Sequence, residues 1–215
     1  MTDAADPSTR VAWLSIAGDA DTWRSIGLTV DANGTIPLHG TALRIVDGPD
    51  GSGIVGWALA ADHTDGPMQI DGLPTEWVES TEPLWAAHDI AATGLDHVVV
   101  LTDSIERTSE AIHAATGCEL KRIRDLGSMR QGFHRIGRGG LIVELVERPE
   151  LDADTTEFWG LVVDVENLDT VYERLGPDGI GAPKNAVQPG RRIATIRDTV
   201  GLGTAVALMD SRADS

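Results

Sequence analysis

Leu95-Asp96-His97-Val98-Val99-Val100-Leu101 is the stretch on which the fold turns. A β-branched apolar run with one imidazole near its start reads as a strand buried on at least one face. A helix should follow at once. Ser104 stands where an N-cap belongs and Arg107 lies in the next turn, while Ile105, Ala111, Ile112 and Ala115 recur at helical spacing until Gly117 supplies a C-terminal stop. Three strand-like runs come next, at residues 118–124, 130–136 and 141–147, separated by Gly127 and by Gly137-Arg138-Gly139-Gly140. The unit is a strand, a helix and a meander of three strands.

Within its last strand, Leu141-Ile142-Val143-Glu144-Leu145-Val146 sets a carboxylate in the middle of an apolar run. Side chains alternate across a strand, so Glu144 faces inward if Ile142 and Val146 do. His97 poses the same question in the opening strand.

The succession recurs on both sides. Downstream, Phe158 to Val165 reads as a strand and Asn167 as the cap of a helix bearing Leu168, Val171, Tyr172 and Leu175, which stops near Gly176-Pro177. Strands are expected around residues 184–187, 191–197 and 204–209. Upstream, a strand at 11–17 and a short helix at 20–26 precede strands near 28–30 or 36–38, 41–46 and 54–59, with turn signals at Asn33-Gly34, His39-Gly40 and 47–53. Residues 61–93, with Pro67, Pro74 and Pro83, read as a connector in which Trp77 and Trp85 are packing anchors.

The expected class is α+β with repeated βαβββ modules. Residues 1–60 form a degenerate N-terminal module, 61–93 a connector, and 94–215 a domain of two modules at 94–149 and 157–210. One module has an apolar concave face it cannot cover alone, so modules should pair. With three, one is left over, which predicts either a homodimer or a spare module docked on a two-module core.

Composition narrows the function. The chain has 215 residues, 41% of them hydrophobic, as in an ordinary packed protein. Its net charge of −17 repels nucleic acid and anionic membranes, and no apolar run approaches a membrane span. The acid excess, including tails at 2–6 and 210–214, suggests solvated faces. The polar start has no signal-peptide core, so a cytoplasmic protein is expected. Cys118, the only cysteine, excludes a disulfide framework and reads as a small buried hydrophobe.

Three marks together resemble the vicinal oxygen chelate superfamily, which includes glyoxalases, extradiol dioxygenases, fosfomycin-modifying enzymes and bleomycin-binding resistance proteins. They are Leu95 to Val100 opening one module, Ile142-Val143-Glu144-Leu145 closing it, and Gly160-Leu161-Val162-Val163-Asp164-Val165 opening the next. The resemblance covers residues 95–210; residues 11–59 share only the order of elements. It implies that two modules pair into a barrel. In metal-dependent members the first and last strands of each module lie adjacent, each donating one inward ligand to a divalent ion. His97 and Glu144 match two of those four positions and suit nickel, zinc, iron or manganese. Gly160 and Ala207 stand at the other two, so the implied metal site is incomplete.

Arg130-Gln131-Gly132-Phe133-His134 and Gln188-Pro189-Gly190-Arg191-Arg192 each begin a strand with cationic and amide groups. Arg130, Gln131, Phe133, Gln188 and Arg191 are therefore the candidate ligand contacts, a guanidinium suiting a carboxylate or phosphate. Arg192 and His134 read as surface residues, and Trp159, Phe133 and Tyr172 as core. The expected protein binds a small carbonyl- or carboxylate-bearing ligand in the barrel. If it is a lyase, isomerase or dioxygenase, Glu144 is its general base and His97 orients that base or helps to hold a metal. The alternative is a metal-free, drug-sequestering binder.

Overall fold

The computed structural model describes residues 9–47, 53–62, 64–80, 85–127, 129–137 and 139–210, so the acidic tails at 2–6 and 211–214, Pro83 and most of the 47–53 turn lie outside the described residues. The elements are β1 (Arg10–Ala17), α1 (Ala20–Ser25), β2 (Thr35–Leu38), β3 (Thr41–Val46), β4 (Ile54–Ala61), β5 (Gln69–Ile70), β6 (Leu73–Glu79), β7 (Ala92–Thr102), α2 (Ile105–Thr116), β8 (Leu120–Asp125), β9 (Arg130–Arg135), β10 (Ile142–Glu147), β11 (Thr156–Val165), α3 (Leu168–Gly179), β12 (Lys184–Asn185), β13 (Arg192–Thr195) and β14 (Ala205–Asp210). A 3-10 turn at Asp198–Val200 precedes β14. Among the described residues no helix is long and apolar enough to cross a membrane.

The strands hydrogen-bond into two sheets, β2-β3-β1-β4-β6-β5 and β12-β13-β14-β11-β7-β10-β9-β8. The architecture is the expected strand-rich α+β arrangement of βαβββ modules. In the larger sheet β10 runs parallel to β7 and β14 parallel to β11, so each module's first and last strands are neighbours. Among the described residues no hydrogen bonding joins β12 to β8, so the expected closure into a barrel is not seen. The sheet's ends discourage pairing. β12 is two exposed residues and β8 carries Lys121, Arg122 and Asp125 on exposed positions.

The N-terminal module is degenerate in an unforeseen way. β4 lies on the far side of β1 from β3 and then pairs in parallel with β6, as β7 does with β10. The stretch expected as a connector supplies β5 and β6, and β4 with β6 repeats there the parallel pairing of β7 with β10. Three prolines and no helix hid that strand from a reading by periodicity. Trp77 is buried as an anchor, its indole donating to the Pro67 carbonyl at 2.9 Å, whereas Trp85 is exposed.

The chain divides into two compact units, one made of Met1–Leu14, Gly56–Glu82 and His97–Trp159, the other of Ser15–Val55, Pro83–Asp96 and Gly160–Ser215. In the first, α2 forms as expected. Ser104 Oγ accepts from the Arg107 amide at 3.3 Å, and Gly117 ends the helix at φ 70°, a conformation glycine adopts without Cβ strain. Ile105 and Ile112 bury one stripe of α2 completely. A Cβ on Gly132 would meet Ile105 Cγ2 at 3.0 Å, so glycine lets α2 pack close against the sheet. The turn between β5 and β6 is fixed to α2 through Asp71, which accepts from Arg107 Nε at 2.8 Å, Thr108 Oγ1 at 2.5 Å and Thr156 Oγ1 at 2.6 Å. Burial alone would raise the Asp71 pKa, but these hydrogen bonds outweigh it and hold the carboxyl below its ordinary value. Trp57 closes the same unit, its indole donating to Thr75 Oγ1 at 2.8 Å and its ring meeting Phe158 edge-on at 5.5 Å.

In the second unit, Asn167 caps α3 through the Asp169 and Thr170 amides. The helical pattern breaks at Gly176, where φ is 66°, directly before Pro177, as the sequence indicates. His88 ties the loop at Thr29 to β2, its Nδ1 accepting from the Thr29 amide at 3.0 Å and its Nε2 lying 2.8 Å from the Pro37 carbonyl. The buried apolar residues here include Trp23, Ile36, Leu38, Leu43, Val163, Val165, Leu168 and Leu208.

Candidate functional site

Alternation along β7, β9 and β10 sorts their side chains onto two faces. Val98, Val100, Val143, Leu145 and His134 are buried at 1% exposure or less, and Gly132 and His134 mark this as the side against α2. His97, Gln131, Phe133 and Glu144 alternate with them and are half-buried on the opposite face. The register sets Glu144 opposite Phe133 on one neighbour and opposite Val99 on the other.

On that face His97 Nε2 lies 3.3 Å from Glu144 Oε2, with side-chain exposures of 13% and 14%. Gln131 Nε2 donates to the other oxygen, Oε1, at 2.5 Å. The imidazole and the carboxylate thus meet as the sequence suggested, and each carboxylate oxygen has a neighbour. Gln131 Oε1 is buried with no hydrogen-bond partner among the described residues, although an unsatisfied buried acceptor costs about 1–3 kcal/mol.

The other module reproduces the register without the chemistry. Gly160 pairs with Ala205 and Val162 with Ala207, as His97 pairs with Ile142 and Val99 with Glu144. Gly160 and Ala207 are thus the counterparts of His97 and Glu144. A Cβ at Gly160 would stand 2.6 Å from the Ala205 carbonyl oxygen, so backbone, not open space, lies where a side chain would begin.

This decides how a divalent ion fits. Two ligands held ~2.1 Å from a tetrahedral or octahedral ion stand about 3.0–3.4 Å apart, so His97 and Glu144 alone have suitable spacing. Among the described residues no group of three or more His, Cys, Asp or Glu could hold an ion, and neither Gly160 nor Ala207 carries a donor. The donor set does not complete the four-ligand cage that the resemblance implies.

The cationic candidates go elsewhere. Arg130 is held by Glu106 at 2.5 Å and Glu147 at 2.9 Å, contacts that raise its pKa and keep it charged. Glu147 Oε1 also accepts from the Ile105 amide at 3.3 Å, pinning the start of α2 to the end of β10. Arg192, Asp210 and Asp169 repeat the device: Arg192 reaches Asp210 and Asp169 at 2.8 Å, and Asp210 Oδ1 accepts from the Leu168 amide at 2.9 Å. Arg130 and Arg192 are equivalent clamps between strand and helix. Arg191 is 4% exposed and bonds Asp96 at 2.5 Å, the Gln188 Oε1 at 2.6 Å, Asp164 and the Asp210 carbonyl. Gln188 Nε2 completes this buried network by donating to Asp96 at 3.1 Å. Neither Arg130 nor Arg191 offers a vacant guanidinium to a ligand, which corrects the expectation of an anion grip at these two residues.

Three aromatic or imidazole expectations also change. His134 is 1% exposed, not superficial; Ser109 Oγ lies 3.0 Å from its Nε2, and burial pulls its pKa from 6.5 to about 4. Trp159 is 55% exposed rather than core. Phe133 is half-buried, with the Arg122 guanidinium 4.9 Å from its ring centroid. Arg122 escaped the sequence reading because an irregularity in β8, invisible to strict alternation, sets its register.

No family model and no curated protein matches the chain. Solved structures do. A triply substituted 4-hydroxymandelate synthase from Streptomyces coelicolor superposes with a TM-score of 0.63 at 14% identity, over 97% of this chain and 94% of that one. A methylmalonyl-CoA epimerase from Mycobacterium tuberculosis gives 0.47 at 19% identity, over 57% of this chain and 91% of its own. At 14% identity the likeness to the synthase speaks for fold alone. That fold is the vicinal oxygen chelate, or glyoxalase-like, fold.

Proposed function

We propose that the protein binds a small carbonyl- or carboxylate-bearing organic compound on the His97–Gln131–Glu144 face, and that Glu144 acts there as general base on a proton next to a carbonyl. The observation that carries this reading is one carboxylate flanked by an imidazole at 3.3 Å and an amide at 2.5 Å on a half-buried face of the sheet. His97 and Gln131 orient the two oxygens of Glu144, and partial exposure leaves them within reach of a small molecule. A positioned general base contributes about 10²–10⁴ to a rate. Abstraction passes the C–H proton to Glu144 and leaves the electron pair as an enolate; return of the proton to the same face regenerates the substrate and return to the opposite face gives isomerisation.

The incomplete donor set supports a second reading, a binder without chemistry. We also infer from the sequence a cytoplasmic homodimer, which cell fractionation and light scattering check. The deciding experiment follows deuterium uptake by a panel of small oxo acids and ketones in heavy water, together with ligand-induced thermal shift. Glu144→Gln should stay folded, keep the thermal shift and lose the exchange. Exchange by Glu144→Gln at the parental rate overturns the base assignment, and thermal shift without exchange in the parent supports the plain binder.

A further inference from the structure

The ligand face continues past Glu144 to the edge of the sheet. Across neighbouring strands Arg122 stands opposite Phe133, and Phe133 opposite Glu144, so the three form one row. A bulge makes the row. Leu120 pairs with His134, which in a regular ladder would set Lys121 opposite Phe133, but one extra residue in β8 brings Arg122 there instead. Bulges re-aim side chains, and this one carries the guanidinium over the Phe133 ring, 4.9 Å from its centroid. Arg124 falls on the same face, opposite Gln131.

The charges give the row its meaning. In a chain of net charge −17, Arg24, Arg107, Arg130, Arg148, Arg174, Arg191 and Arg192 are each paired with a carboxylate. Arg122 and Arg124 have no carboxylate partner among the described residues. Arg122 and Arg124 thus share a face with the Glu144 base; Arg135 lies on it too, opposite Ile142, but donates to the Gly140 carbonyl at 3.0 Å. Arg122 is already stacked in place on an aromatic ring, so its planar fork loses little freedom on meeting an anion.

We propose that Arg122, assisted by Arg124, is the anion anchor of this face, and that the ligand carries a carboxylate set apart from the carbonyl on which Glu144 acts. The inference rests on the reading of Glu144 as the base and adds the ligand's second group. Adjacent strands lie about 4.8 Å apart, so a guanidinium above Phe133 is roughly one strand spacing from Glu144. Two methylene groups span that gap, which makes 4-oxo carboxylic acids the fitting class.

The test uses 4-oxopentanoate and its methyl ester, followed by ligand-observed NMR for binding and by deuterium uptake at C3. The acid should bind at least tenfold more tightly than the ester. Arg122→Gln should bring the acid to the level of the ester and leave the ester unchanged, while Arg122→Lys recovers part of the preference through charge alone. Arg122 is exposed on an edge strand, so both variants should melt with the parent. Glu144→Gln should retain the acid-over-ester preference and lose the uptake, so failure of the base assignment is read separately from failure of the anchor. Equal affinities for acid and ester, binding of neither, or an Arg122→Gln variant that still prefers the acid overturns the proposal.

Discussion

Gln131 Nε2 donates to Glu144 Oε1 from the neighbouring strand, so the amide holds the carboxylate oxygen that His97 does not approach. A hydrogen bond to a charged group is worth about 1.5–3 kcal/mol, with the lower end appropriate to this half-buried pair. Gln131→Leu should therefore lower the free energy of urea unfolding by about 1.5 kcal/mol. It should slow deuterium exchange at least tenfold without removing the preference for an anionic ligand. An exchange rate equal to the parent's would leave Gln131 without a role in orienting the base.

β14 crowds β11 at Gly160, where any Cβ meets the Ala205 carbonyl oxygen at 2.6 Å. Overpacking of this kind costs about 1–3 kcal/mol. Gly160→Ala should unfold at correspondingly lower urea, and Gly160→His at lower still. Isothermal titration with nickel, zinc or manganese should find no high-affinity site in Gly160→His, because the backbone cannot admit the imidazole at the register position of a ligand. Tight stoichiometric uptake by this variant would show that β14 moves aside.

His134 gives the protein an acid limb. Its folded pKa of about 4 lies below its unfolded value of 6.5, because burial disfavours the imidazolium. The unfolded state therefore binds the proton first. Stability is full above pH 6.5 and falls as the pH drops toward 4, by up to about 3 kcal/mol. Chemical denaturation at steps between pH 7 and pH 4 should trace that loss, and His134→Leu should flatten it. A slope that survives the substitution must come from other titrating groups.

Glu147 and Asp210 should prove interchangeable in kind. Each closes its module, accepts from the first amide of that module's helix and receives a guanidinium from the third strand. Glu147→Gln and Asp210→Asn should each cost about 1–3 kcal/mol in urea unfolding, with protection lost first at the helix N-terminus in hydrogen exchange. A deficit in only one of the two would mean that the modules do not share the clamp.

The sequence by itself determined the modules of residues 95–210: α2 with its serine cap and glycine stop, the strands around it, and the register that makes Gly160 and Ala207 the counterparts of His97 and Glu144. These follow from caps, turns and alternation, which act within a few residues of chain. It also marked Glu144 as out of place, because a carboxylate in an apolar strand is costly wherever that strand is buried. Tertiary structure alone decided which guanidiniums are spent and which are free. Arg130 and Arg191 resemble anion-binding residues in the sequence and are taken up by carboxylates from distant segments; Arg122 looks like edge-strand charge and is turned onto Phe133 by a bulge. Pairing of charges depends on distances between residues far apart in the chain, which local patterns do not encode. The same holds for β6, a strand whose position is set by its neighbour β4 and not by its own periodicity.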